Sequence, residues 1–154
     1  MRIHRRKITL KQYVFRRTGL AIGSSGSLLS MFARSFQARS PRVFWKYWNP
    51  IFGYYLGTYV YSPLKTFFPE SLALILTFLF SGFIHDLATI MVTGSTRFLF
   101  TTWFFFLGLG VLWGEMVKID LSKQSKLVRI IFNLMYILFS FAFTYAFIIT
   151  LSVV

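Results

Sequence analysis

Residues 71–92 read SLALILTFLFSGFIHDLATIMV, and the only ionisable groups in that run are the adjacent His85 and Asp86. Crossing a hydrocarbon core of roughly 30 Å takes about 20 helical residues, and lipid offers backbone groups no partner, so the run reads as a membrane-spanning helix. Two further runs, 98–117 and 127–154, have comparable length and character. The three together predict an all-α integral membrane protein, one membrane domain over 1–154 with three transmembrane helices. Composition agrees, because 56% of the chain is apolar and 21% aromatic against 14% charged, too little polar surface for a soluble globule.

Outward from the spans, the charge is lopsided. The net charge is +13, and eleven of the seventeen Lys and Arg residues fall in 1–46, where no acidic residue occurs. Positive residues favour the cytoplasmic side, so 1–42 is expected to be a basic cytoplasmic arm held near anionic lipid. The loop before the second span carries Arg97, whereas the loop after it carries Lys118, Lys123, Lys126 and Arg129 around Asp120. Three spans with the N-terminus inside and the C-terminus outside satisfy both loops. The expected location is a multi-pass membrane, the inner membrane of a bacterium or the endoplasmic reticulum of a eukaryote. No zinc, homeodomain or RNA-binding signature accompanies the basic arm, so nucleic acid is not the expected partner.

Between arm and spans lies 43–62, rich in Phe, Trp and Tyr but interrupted by Lys46, Asn49 and Pro50. Aromatic clusters of this kind prefer the membrane interface, so the segment is expected to be an interfacial or re-entrant helix. Asn49 followed by Pro50 marks a helix start, with the amide as cap and proline's fixed φ at the first helical position.

Several chemistries are excluded or unsupported. There is no cysteine, which removes disulfides, thiolate metal sites and a cysteine nucleophile. His4, His85 and four carboxylates give no metal-binding pattern, and no metal is expected. Gly23-Ser24-Ser25-Gly26-Ser27 lacks the closing glycine of a hydrolase nucleophile elbow and reads as a turn. Gly110-x-x-x-Gly114 and Gly53-x-x-x-Gly57 read as seams where helices approach closely.

Within the first span, Thr77, Ser81, His85 and Thr89 recur every four residues and form one polar stripe on a helix, with Gly82 thinning the wall beside it. Polar groups at bilayer depth face a bundle interior or a cavity and mark function by default, although interhelical hydrogen bonds explain some as glue. A neutral imidazole there is suited to accept a proton, since its ordinary pKa lies near neutrality. Asp86, about 100° around the helix from His85, points elsewhere.

The run Phe44-Trp45-Lys46-Tyr47-Trp48-Asn49, then a Tyr-rich stretch, then Ser81-Gly82-Phe83-Ile84-His85-Asp86-Leu87, resembles the signature core of the membrane-bound O-acyltransferase family, nearest to its diacylglycerol and sterol acyltransferase branch. In that branch an aromatic motif ending in Trp-Trp-Asn precedes an intramembrane histidine followed by an acidic residue. Asn49, His85 and Asp86 fall at those positions, while Trp45 and Tyr47 stand where tyrosine and aspartate are common.

The resemblance implies acyl transfer from a thioester donor, acyl-CoA or another, to a hydroxyl of a lipid or other membrane-accessible acceptor. It makes His85 the general base and Asn49 the group that orients it or holds the oxyanion, with Asp86, Ser81, Trp45 and Trp48 in support and no bound cofactor. The resemblance covers about a third of the chain, so a complete chamber is expected to need another copy or a partner membrane protein. The competing reading is a non-enzymatic subunit or proton relay through His85, Asp86 and Glu115, which has no use for the aromatic and Asn49 cluster.

Overall fold

In the computed structural model, residues 8–153 are described; His4, the cations at positions 2 and 5–7, and Val154 lie outside them. Among the described residues three helices are long and apolar enough to cross a membrane. They are α6 (Glu70–Thr93), α7 (Leu99–Met116) and α8 (Lys126–Val153), preceded by α1 (Leu10–Thr18), α2 (Ser27–Phe36), α3 (Pro41–Tyr47), α4 (Pro50–Tyr55) and α5 (Ser62–Phe67). At 1.5 Å per residue α6 is about 36 Å long, enough for the hydrocarbon core with some tilt.

The spans run up, down and up. Arg42 on α3 donates to Glu70 at the start of α6, at 3.3 Å, and to Glu115 near the end of α7. These ends therefore meet at one level. The loop that follows α7 is at that level too, because the Leu121 N–H donates to the Arg39 carbonyl at 2.8 Å. Burial works against the Arg42 charge, but the hydrogen bond and charge of Glu115, with smaller help from Tyr61 and Glu70, outweigh it and raise its pKa.

The seam between α6 and α7 is set by Gly82. A Cβ there would lie 2.6 Å from the Phe100 carbonyl oxygen and 2.7 Å from the Thr101 Cα, so backbone meets backbone and only glycine fits. Asp86, one turn along, is fully buried in the same seam. Its Oδ1 accepts from the Thr96 hydroxyl (2.8 Å) and the Phe100 N–H (3.2 Å), and its Oδ2 from the Thr101 N–H (2.7 Å) and hydroxyl (2.6 Å). A carboxylate from one helix thus caps the orphan N–H groups of the next, where the helix dipole favours negative charge. Away from this seam, Phe80, Phe83, Leu87 and Phe143 are exposed, as lipid-facing residues are.

The basic arm is structured where it is described. Thr9 and Gln12 form a capping box at the start of α1, and Gly19 ends that helix in the left-handed region. The turn at 23–26 leads into α2, with Gly23 and Gly26 both at positive φ. The fully buried Asn133 of α8 donates through Nδ2 to the carbonyls of Phe36 (3.0 Å) and Ala38 (2.9 Å), tying the end of α2 to the bundle.

The aromatic segment at 43–62 is broken where one helix was expected. Asn49 sits at φ 38°, ψ 68°, so the chain turns sharply between α3 and α4. From Pro50 to Phe67 it then runs helically through a π-helical stretch, Leu56–Tyr61. Pro63 lacks the N–H that would close the regular ladder, and the Ser62 hydroxyl instead donates to the Gly57 carbonyl at 2.7 Å.

Of the two glycine seams expected, the one at Gly110 and Gly114 is present, and the one at Gly53 and Gly57 is not. A Cβ at Gly110 would meet Tyr136 of α8 at 2.5 Å, and one at Gly114 would meet Pro41 of α3 at 3.4 Å. Both close approaches are made within the chain. Among the described residues a Cβ at Gly57 would meet nothing within 4 Å, so it forms no seam.

Candidate active site

The break at Asn49 folds the aromatic segment back against α6. Asn49 meets three local demands: it tolerates the left-handed backbone better than most residues, its Oδ1 accepts the Phe52 N–H at 3.2 Å, and it precedes Pro50 at the first helical position. Because the Phe52 N–H can only donate, the amide oxygen must face it. The exposed Asn49 therefore presents its Nδ2 donor elsewhere.

On α6 the threonines of the polar stripe satisfy themselves along the helix. The Thr77 hydroxyl donates to the Ala73 carbonyl (2.7 Å) and that of Thr89 to the His85 carbonyl (3.0 Å). These threonines need no chemical role, since back-bonding already supplies partners in lipid. His85 differs in kind. Its Nδ1 lies 2.8 Å from the Ser81 carbonyl oxygen. A carbonyl only accepts, so Nδ1 carries the proton and, in the neutral ring, Nε2 keeps the lone pair. The ring is packed by Phe104 (centroids 5.0 Å apart), Phe100 (5.7 Å) and Phe52 (6.0 Å).

These pieces enclose one pocket of about 120 Å³. Trp45 and Trp48, Asn49, Phe52 and Leu56 line it from one side, Thr77, Ser81 and His85 from α6, and Phe104 from α7. Five residues singled out in the sequence, His85, Asn49, Ser81, Trp45 and Trp48, meet here. Asp86 does not; its carboxylate is committed to the start of α7. Glu115 is likewise held by Arg42, so among the described residues no hydrogen-bonded chain joins His85, Asp86 and Glu115 as a relay would require.

The sequence reading missed what holds the aromatic wall in place. Trp45 Nε1 donates to the Tyr136 hydroxyl at 2.9 Å, and that hydroxyl donates to the Leu107 carbonyl at 2.6 Å. One tyrosine of α8 thus joins α3 to α7. A signal for it was present: Asn133, Tyr136, Ser140 and Thr144 recur every three or four residues, a second polar stripe on an otherwise apolar span. Trp48 is stacked on Phe44 (5.4 Å, 18°). Among the described residues no three His, Asp or Glu side chains gather to hold a metal.

Fold and pocket define a helical membrane protein in which a histidine and an asparagine line one aromatic cleft. The profile of the membrane-bound O-acyltransferase (MBOAT) family matches residues 28–152, well over half of the chain, and the chain belongs to that family. No curated protein and no solved structure matches it.

Proposed function

We propose that the pocket transfers an acyl group from a thioester donor, of which acyl-CoA is the foremost candidate, to a hydroxyl of a membrane-accessible acceptor. A lipid hydroxyl is the acceptor class of the diacylglycerol and sterol branch that the aromatic motif resembles. The observation that carries the reading is the Nδ1–H to Ser81 carbonyl bond, which leaves Nε2 as the acceptor of a ring lining the pocket that Asn49 also lines.

In this mechanism Nε2 takes the hydroxyl proton as the oxygen attacks the thioester carbonyl. The oxyanion of the tetrahedral intermediate accepts a hydrogen bond from Asn49 Nδ2. The C–S bond then breaks, and the departing thiolate takes the proton back from Nε2, leaving ester and thiol. General-base catalysis is worth roughly 10²- to 10⁴-fold, and one oxyanion donor roughly 10²- to 10³-fold. The cation-rich end, with Arg39, Arg42 and the 118–126 loop, is taken as cytosolic, so that a water-borne donor arrives there.

Asn49→Asp separates this chemistry from folding. Aspartate keeps the oxygen that caps α4 and tolerates the left-handed backbone, but once ionised has no donor for an oxyanion. Acyl products in membrane lipids, measured by lipidomics on membranes with parent and variant protein, are expected to fall about 100-fold at unchanged thermal stability. Parent-level product from Asn49→Asp would remove the oxyanion role.

A further inference from the structure

The opposite face of α3 leads to a second cavity. Trp45 and Trp48 face the reaction pocket, while Val43, Lys46 and Tyr47, about half a turn away by the 3.6-residue repeat, line a basin of about 350 Å³. Arg17 from α1, Arg39 and Gln37 from the α2–α3 junction, and Arg129 from α8 complete it.

Among the described residues four cations surround this basin and no carboxylate lines it. The chain has only four acidic residues, all of them placed elsewhere. Asp86 is in the α6–α7 seam, and Glu70 and Glu115 pair with Arg42 and Lys65. Asp120 accepts the Ser122 N–H at 2.9 Å, and its field reaches Arg39 and Arg129 without forming an ion pair. Among the described residues none of the four basin cations has a salt bridge. Arg17 lies over the Tyr13 ring at 4.9 Å with its Nε buried and lacking an acceptor. Among the described residues Arg129 donates only to the carbonyls of Ser122 and Gln124. Burial first, then Arg42, Arg17 and Arg39, lower the pKa of Lys46 against a weaker opposing pull from Glu115, so the cations are close enough to oppose one another. Such crowding is relieved when an anion enters, and the planar forks of arginine match phosphate oxygens in pairs.

We infer that the basin formed by Arg17, Arg39, Lys46 and Arg129 binds a phosphate ester. Arg17 lies ahead of the segment that matches the family, so the site is read from this chain's own geometry. The phosphate has two possible sources, the headgroup of an anionic phospholipid or the phosphorylated end of a thioester donor. The second rests on the proposed function, for α3 separates basin from reaction pocket by one helix thickness, roughly 10–12 Å.

The test uses the full chain in phosphatidylcholine nanodiscs, with the Arg39→Gln/Lys46→Gln pair against a control pair, Lys11→Gln/Lys126→Gln, that removes the same charge outside the basin. One arm titrates adenosine 3′,5′-bisphosphate, the phosphorylated end of coenzyme A. The other measures, by native mass spectrometry, retention of phosphatidylglycerol from mixed discs. In at least one arm the basin pair is expected to weaken binding about tenfold or more and the control pair less than about twofold, and the arm that responds names the source. Arg39→Lys/Lys46→Arg, which keeps both charges, is expected to retain most of the binding. Equal losses from both pairs, or no binding of either probe above background, would overturn the site. Both arms are repeated on His85→Ala protein, where binding is expected to persist, so that failure of the acyltransfer reading is distinguished from failure of the basin.

Discussion

The two faces of α6 that carry polar groups at membrane depth are finished in different ways. On the face toward α7, Asp86 is fully buried and both its oxygens are filled, four donors in all from 96–101. On the face toward the pocket, half-buried His85, its ring against Phe104 and Phe100 of α7 and Phe52 of α4, has one hydrogen bond, to a carbonyl of its own helix, and its other ring nitrogen has no hydrogen-bond partner among the described residues. Neighbours in sequence therefore belong to different kinds of site. A polar group whose valences are all satisfied by the fold holds the fold together; one left with an open lone pair beside a cavity is available to a substrate.

Breaking the seam should cost most. Gly82→Ala forces a methyl into the backbone of Phe100 and Thr101, which cannot move aside as a side chain can. Overpacking of this kind costs roughly 1–3 kcal/mol or more, and a marked fall in melting temperature in detergent checks it. Gly108→Ala sharpens the point, since its new Cβ would meet the side chains of Ile75 and Phe78 at 3.1–3.2 Å, neighbours that can yield. Its loss should be clearly the smaller of the two.

The pocket wall should respond more mildly. Tyr136→Phe deprives Trp45 Nε1 of its acceptor at a part-buried position, which costs roughly 1–3 kcal/mol in a protein interior and nearer 0.6 kcal/mol if the indole finds another partner in the membrane. Thermal stability should fall modestly and acyl product in parallel, because α3 loses its tie to α7 and α8. Unchanged stability with lost product would instead give Tyr136 a part in the chemistry.

The sequence made the three spans legible because length and apolar character alone specify them. The expected runs 71–92, 98–117 and 127–154 differ from Glu70–Thr93, Leu99–Met116 and Lys126–Val153 by one residue at each end that falls within the described residues. Asn49 was legible as a cap from its own side chain and the proline after it. That it shares a pocket with His85 was implied only by the family resemblance, since the fold-back depends on a left-handed backbone at one residue. The partners of Asp86 were not legible, because they come from a turn shaped by Gly94 at φ 78° and Phe98 at φ 53°. Small residues at Gly110 and Gly114 announced close approach but not the neighbour, which proved to be Tyr136 and Pro41 of the same chain. The charge of the arm was plain, whereas its docking required Asn133, some 95 residues from the carbonyl that it binds.

The most direct measurement sets the two neighbours on α6 against each other, recording acyl product and melting temperature for His85→Ala and Asp86→Ala in the same membranes. His85→Ala loses one bond within its own helix, about 0.6 kcal/mol, and should melt like the parent while product falls at least about 100-fold. Asp86→Ala strips four donors of their acceptor, and should lower stability by roughly 3 kcal/mol or more. Acyl product at the parent level from His85→Ala protein would contradict the account.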